Sequence, residues 1–255
     1  MRAWVQEDLA VDGDGAVAVS DPARSVLQLA NSETGIVQGL PRGLALSDMT
    51  QGFGKMPVAF DWSGVEMALI SAHKLGGPKG IGVLVLKRGL DVAARIKGGG
   101  QEMGRRSGTE NLIGIAGFGA AAQAATQDLD AGLWDQVAEL RNILELALDL
   151  GEKETILVGK DARRLPNTTC LITPGWKGET QVMQMDLAGF AISAGSACSS
   201  GKVKASTVLR AMGFDERQAA SAIRISIGPA TTREEVLRFA DAWTAARKKH
   251  RARAA

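Results

Sequence analysis

Up to about residue 110 the apolar residues come in short runs rather than at helical spacing. Val26-Leu27-Gln28-Leu29-Ala30, Leu44-Ala45-Leu46-Ser47-Asp48, Val65-Glu66-Met67-Ala68-Leu69-Ile70 and Ile81-Gly82-Val83-Leu84-Val85-Leu86 are each bounded by glycine, proline or small polar residues. Runs of that length between turn formers predict buried strands. Ala16-Val17-Ala18-Val19, after the turn Asp12-Gly13-Asp14-Gly15, is a further strand candidate. Several of these runs end in polar residues, Asn31, Asp48 and Ser71 among them, as in parallel sheets that bind ligands at strand ends.

From Leu112 onward the texture becomes helical. Ile113 to Ala122 is one helical stretch, and Leu133 to Leu150 carries Trp134, Val137, Leu140, Ile143, Leu144 and Ala147 on one broad face. Strand-like segments recur at 155–158, 168–172, 190–193 and 222–227, a helical stretch runs from Ala205 to Met212, and a last helix starts at Thr231, where Thr231-x-x-Glu234 reads as a capping box. The expected fold is α/β: residues 1–115 form part of a large domain with a mostly parallel sheet, and residues 116–255 form a smaller α+β domain.

Composition narrows the class. Of 255 residues 45% are hydrophobic and 23% charged, which excludes a largely disordered chain. A net charge of +2 gives no argument for nucleic acid, and the basic run Arg247-Lys248-Lys249-His250-Arg251-Ala252-Arg253 reads as a solvated helix end or frayed tail. No apolar run approaches the ~20 residues that span a bilayer, and the polar start Met1 to Asp8 does not resemble a signal peptide, so the expected compartment is the cytoplasm. Cys170 and Cys198 are too few for a disulfide framework and lack the clustering of a zinc site.

The candidate chemistry centres on Lys74, in Ser71-Ala72-His73-Lys74-Leu75-Gly76-Gly77-Pro78-Lys79-Gly80, between two strands. A lysine in a desolvated or cation-rich pocket has a lowered pKa and becomes a nucleophile toward carbonyls. Ser71 and His73 flank it as potential donors to phosphate oxygens. Asp48 and Gln51 follow the Leu44 run; an acid there can also be a simple turn residue. Cys170 lies in an apolar strand and reads as a small core residue, whereas Cys198, in Ser193-Ala194-Gly195-Ser196-Ala197-Cys198-Ser199-Ser200-Gly201-Lys202, has only small and polar neighbours and reads as accessible. Arg224 alternates with isoleucines, which turns it to the opposite face of a strand.

Ser-x-His-Lys followed by Gly-Gly-Pro-Lys-Gly-x-Gly, together with Asp48-x-x-Gln51 and the Cys198 loop, resembles the cysteine desulfurases within the class V aminotransferase family. The resemblance runs from about Leu29 to Trp243 and implies a pyridoxal-phosphate-dependent transferase of fold type I, like aspartate aminotransferase. It implies that Lys74 holds the cofactor, that Asp48 faces its ring nitrogen, that Gln51 and Asn31 lie near its phenolic oxygen and that Ser71 and His73 contact the phosphate. Asn31 would also reach the substrate carboxylate, which Arg224 would anchor. Cys198 would take sulfur from L-cysteine as a persulfide, leaving L-alanine, and pass it to an acceptor such as an iron–sulfur scaffold, where it could transiently ligate a cluster. The loop Gly98 to Thr109 is similar to one whose threonine contacts the phosphate held by the other subunit, so Thr109 implies a homodimer. No resident metal, nucleic acid or membrane is expected.

Two features depart from that family. Gly39 to Ser47 is short where the family has a helix, and no segment matches its Gly-Ala/Ser-Thr phosphate turn or the histidine stacked on the cofactor, the only histidines being His73 and His250. An N-terminally truncated desulfurase is therefore the expectation. A selenocysteine lyase-like enzyme and a non-catalytic remnant that only dimerises or binds a partner are the alternatives.

Overall fold

A computed structural model of the chain describes residues 7–195 and 205–254. They gather into two compact units: Ser20–Leu29 with Gly39–Ala131, and the described residues of 1–19 and 132–255 with Ala30–Gln38. The division differs from the expected 1–115 and 116–255. Residues 30–38 belong with the C-terminal half because Ile36 bridges Arg164, the Leu165 amide donates to Gly35, and the Ile36 side chain is buried among Val158, Cys170 and Leu209.

The first unit holds a four-stranded sheet in the order β1 (Val26–Gln28), β2 (Leu46–Asp48), β3 (Met67–Ser71), β4 (Gly82–Leu86). The first three are parallel and β4 is antiparallel to β3, the mostly parallel arrangement expected. Leu27, Leu44, Met49, Val65, Ala68 and Ala72 form its buried side. The short helix α1 (Phe60–Ser63) precedes β3. Residues 39–45 carry no helix; they turn tightly, the Leu44 amide donating to Pro41 and the Gly43 amide to Gly64. Helix α2 (Leu112–Asp130) is capped by Asn111, whose side chain accepts from the Gly114 amide at 3.0 Å. Its glycines and alanines let it lie close to the turn after β3.

In the second unit a four-stranded antiparallel sheet runs β5 (Ile156–Leu157), β6 (Thr168–Ile172), β8 (Ala222–Ser226), β7 (Ser193–Ala194). Every residue of β6 is buried, because apolar clusters occupy both faces. One cluster joins Leu171, Ile223 and Ile225 to α3 (Leu133–Gly151), α4 (Gly178–Leu187) and α7 (Arg233–Ala254). The other joins Cys170, Ile172 and Ala222 to Ile36 and to α5 (Thr207–Ala211) and α6 (Glu216–Ala220). Gln181 of α4 is fully buried with its amide satisfied: its nitrogen donates to the carbonyls of Trp176 and Ser221, and its oxygen accepts from the Trp243 indole.

Three sequence expectations change. Val17 forms only an isolated bridge with Val11, because the Asp12 carboxylate draws the chain into a turn and the Val17 amide donates to Gln38. The last capping box sits one residue later, between Thr232 and Glu235. The basic run from Arg247 is a helix end, as one expectation had it, with Lys248, Lys249, Arg251 and Arg253 exposed; it is not a frayed tail, and Arg247 within it is buried against Glu152 while His250 stacks on Trp176 at 5.5 Å. Burial and the charges of Arg247 and Arg253 lower the affinity of His250 for a proton.

Glu145 of α3 accepts both terminal nitrogens of Arg164, at 2.7 and 2.9 Å, and the Thr169 hydroxyl at 2.8 Å, all in the interior. Burial raises its pKa, but the hydrogen bond and charge of Arg164, with Thr169, outweigh burial and lower it overall. A carboxylate held below its unfolded value stabilises the fold above that value, near 4.5, and the contribution fades as pH falls through the lower folded value. Arg164→Ala strands a buried carboxylate, so urea unfolding at pH 7 should show a loss of about 3–5 kcal/mol that shrinks toward pH 4.

Candidate functional site

In the first unit Asp48 ends β2 and Ser71 ends the parallel neighbour β3, so both reach the same sheet edge. The half-buried Asp48 carboxylate accepts from the Thr50 amide at 3.0 Å through one oxygen; among the described residues no partner takes the other. After Ser71 a single turn of 3-10 helix, Ala72–Lys74, brings His73 and Lys74 to the surface of the unit. The Ser71 hydroxyl and the His73 Nδ1 share a hydrogen bond of 2.7 Å. Thr109 is exposed just before α2, after a loop braced by Arg106, which donates to the Gly108 carbonyl at 2.6 Å and to Glu102 at 3.2 Å.

The turn after Asp48 contains a residue that the motif comparison did not single out. Lys55 is half-buried and its Nζ donates to the Gln51 carbonyl at 3.0 Å. Burial first, and the charge of Lys74 second, bring its pKa down to about 8. The signal in the sequence is Gly54 immediately before it. Gly54 has φ 76°, and a Cβ there would lie 2.9 Å from the Ala125 Cβ and 3.4 Å from that of Leu75, which seats the turn beside the residue that follows Lys74.

In the second unit Asn31 opens a tight turn by accepting the amides of Glu33 and Thr34 at 2.9 and 3.0 Å. Arg224 lies on β8 between the buried Ile223 and Ile225 and is itself half-buried, on the face expected. Its guanidinium donates to the Ser32 carbonyl at 2.8 Å, to Ser193 at 3.2 Å and to Ser226 at 3.2 Å. Among the described residues this leaves one N–H on each terminal nitrogen uncommitted, the pair a carboxylate accepts. Glu33, two residues after Asn31, accepts at 2.5 Å from Ser206, the residue that caps α5. The Asn31 turn, Arg224 and the strands beside them therefore form one connected group. Cys198 lies outside the described residues; Gly195 and Ala205, which flank its segment, line a cavity of about 530 Å³ with Lys177, Arg210, Glu179 and Glu216. Cys170 is wholly buried, as expected, and burial pushes its thiol up to about 12.

Residues 27–239 match the family described as Aminotransferase class-V. The chain is similar to a cysteine desulfurase of Frankia sp. (strain EuIK1), 42% identical across 92% of this chain and 60% of the relative. Another from Cereibacter sphaeroides is 37% identical across 90% and 62% respectively. Among solved structures, the NifS-like protein from Rickettsia africae ESF-5 superposes with a TM-score of 0.82 at 29% identity, covering 94% of this chain and 69% of that one. The chain thus spans about three fifths of the length of these curated relatives.

A thiol pushed up to about 12 is a thiolate in only about 10⁻⁴ of molecules at pH 8. A Cys198→Ala variant should therefore leave dithionitrobenzoate colourless under native conditions and release one equivalent of chromophore in denaturant. Rapid native labelling would contradict the burial of Cys170.

Proposed function

The chain belongs to the class-V aminotransferase family, and on that premise we propose that it carries the greater part of a pyridoxal-phosphate-dependent cysteine desulfurase. The observation that carries this reading is the gathering, at one sheet edge, of an amine, a carboxylate with an open oxygen and a hydroxyl–imidazole pair.

That donor set fits pyridoxal phosphate. Lys74 supplies the amine that would hold it covalently, Asp48 the anion that would keep its ring nitrogen protonated, and Ser71 and His73 the donors for its phosphate. Gln51 and Asn31 would face its phenolic oxygen, and Thr109 the phosphate bound by a second copy of the chain. The exposure of Leu112 (71%) and Ile113 (87%) beside Thr109 favours such a homodimer. When bound, the cofactor is an electron sink for the substrate α-carbon.

The protein's own groups do the rest. Arg224 would bind the α-carboxylate of L-cysteine with its uncommitted N–H pair, assisted by Asn31. Lys74, once free, would move protons at the α-carbon. The Cys198 thiolate would attack the substrate sulfur, forming the S–S bond of a persulfide as the C–S bond breaks, and L-alanine leaves after protonation. A sulfur acceptor such as an iron–sulfur scaffold would then take the outer sulfur, in the cytoplasm, without nucleic acid or membrane. Among the described residues no helix is long and apolar enough to cross a membrane.

With added pyridoxal phosphate the protein should develop a visible absorption band that Lys74→Ala abolishes. A folded protein that shows no band overturns the reading in favour of a non-catalytic, partner-binding chain. Cys198→Ser should keep the band and lose persulfide formation, and persulfide chemistry undiminished in that variant removes Cys198 from its role.

A further inference from the structure

In the second unit the turn from Asn31 to Thr34 presents consecutive residues to different partners. Asn31 closes the turn, the Ser32 carbonyl accepts from Arg224 at 2.8 Å, and the Glu33 carboxylate accepts from the Ser206 hydroxyl at 2.5 Å. The turn does not need Glu33 to keep its shape. The Asn31 amide donates to the Ile36 carbonyl, the Gly35 amide donates to that of Asn31, and the buried Thr34 hydroxyl accepts from the Ile36 amide at 3.2 Å. Gly35 lies so near Thr168 that a Cβ would stand 2.9 Å from the threonine Cβ, and the Leu165 amide and the apolar cluster around Ile36 anchor the turn to the interior.

The partner of Glu33 has less support of its own. Helix α5 is five residues long, too short to hold its conformation alone, and its first turn depends on the Ser206 oxygen, which accepts from the Leu209 amide at 3.1 Å. Ser206 is only 1% exposed, so its hydroxyl proton has no solvent to turn to, and a hydroxyl that donates to a carboxylate makes one of the stronger hydrogen bonds. The rigid turn therefore places Ser206, and not the reverse. In the sequence Cys198 stands between Ser193 and Ser206. Ser193 pairs with Arg224 across β7 and β8, and its hydroxyl accepts from the guanidinium at 3.2 Å. The residues on both sides of the Cys198 segment are thus bonded to the group that surrounds the uncommitted N–H pair of Arg224.

We propose that Glu33 is a positioning residue: by holding Ser206 on the Asn31 turn, it fixes the return of the Cys198 segment against the Arg224 site. The inference rests on the reading of Arg224 as the carboxylate anchor and of Cys198 as the thiol that takes the substrate sulfur. Glu33 touches neither substrate nor cofactor in this account; it acts through Ser206. A thiol tethered on both sides has a high effective concentration at the bound substrate, and releasing one tether lowers it without weakening the anchor for the carboxylate. The signature is a loss of kcat with KM kept.

A cross-link reads the placement of Cys198 without cofactor. In Ser32→Cys the new thiol is exposed beside the carbonyl that Arg224 holds, and its disulfide with Cys198, titrated against a glutathione redox buffer, measures their effective concentration. Adding Glu33→Ala should lower that value at least about tenfold. Ser206→Asp should lower it as much, because aspartate still caps α5 but sets a second carboxylate against Glu33, whereas Ser206→Thr, which keeps cap and donor, should hold it within about twofold. In pyridoxal-phosphate-loaded protein without the Ser32 change, Glu33→Ala should cut kcat for persulfide formation at least about tenfold and leave KM for L-cysteine within about twofold. Ser206→Asp carries the test if Glu33→Ala does not fold. No cross-link in Ser32→Cys, or a value that ignores both Glu33→Ala and Ser206→Asp, overturns the proposal. An equal loss in Ser206→Thr, or a raised KM with kcat unchanged, overturns it as well. A cross-link that responds as expected in a protein that forms no cofactor band counts against the functional reading alone.

Discussion

Two close approaches in the first unit leave no space for a Cβ, and the arrangement of its polar residues depends on them. At Gly77 a side chain would meet the Cβ atoms of Ala72 at 2.9 Å and Ala121 at 3.2 Å, and at Gly54 it would meet Ala125 and Leu75. Helix α2 consequently lies against both the turn after Lys74 and the turn after Gln51, and fixes one relative to the other. Dispersion between close-packed surfaces and the burial of small apolar groups hold this contact, at about 25 cal/mol for each Å² removed from water. The alanines and glycines of α2, which look featureless as an amphipathic pattern, are what make the approach possible.

The second unit solves a different problem, which is to hold a guanidinium half-buried without leaving it unpaired. Arg224 has its backbone in the centre of an antiparallel sheet, between β6 and β7, and its side chain bound to three oxygens from three segments. A long side chain restrained in this way loses little further entropy on binding an anion. The buried pair of Glu145 and Arg164 is its structural counterpart: both carboxylate oxygens are used locally, by Arg164 and Thr169, and among the described residues the buried Arg164 Nε alone of the pair's donors has no partner. On the proposed reading, the contrast separates a residue kept for binding from one kept for the fold.

Much of this was legible in the sequence, for identifiable reasons. Strand β6 was read with its observed bounds because five consecutive buried residues flanked by polar ones admit few alternatives. The face of Arg224 followed from the two-residue period of a strand, and the burial of Cys170 from its apolar neighbours. The expected sequence blocks cross the compact units because residues 30–38 are claimed by long-range pairing with Arg164 and Leu165, which no local pattern encodes. Helix α6 went unnoticed although Asp215 and Gln218 form a capping box, since five residues carry too little periodicity. Most of the basic end of α7 is solvated as read, but Arg247 within it was missed because its partner, Glu152, lies nearly a hundred residues away. Lys55 escaped for a related reason: what distinguishes it from an exposed lysine is its burial and the approach of Lys74, both tertiary.

The central claim is that, of the amines in the first unit, Lys74 is the one that takes the cofactor. Reduction of the pyridoxal-phosphate-treated protein with borohydride, followed by proteolysis and tandem mass spectrometry, locates the adduct directly. The account predicts a reduced phosphopyridoxyl group on Lys74, with Lys55 and Lys79 unmodified at stoichiometric loading. An adduct on Lys55 or Lys79 with Lys74 free would contradict it.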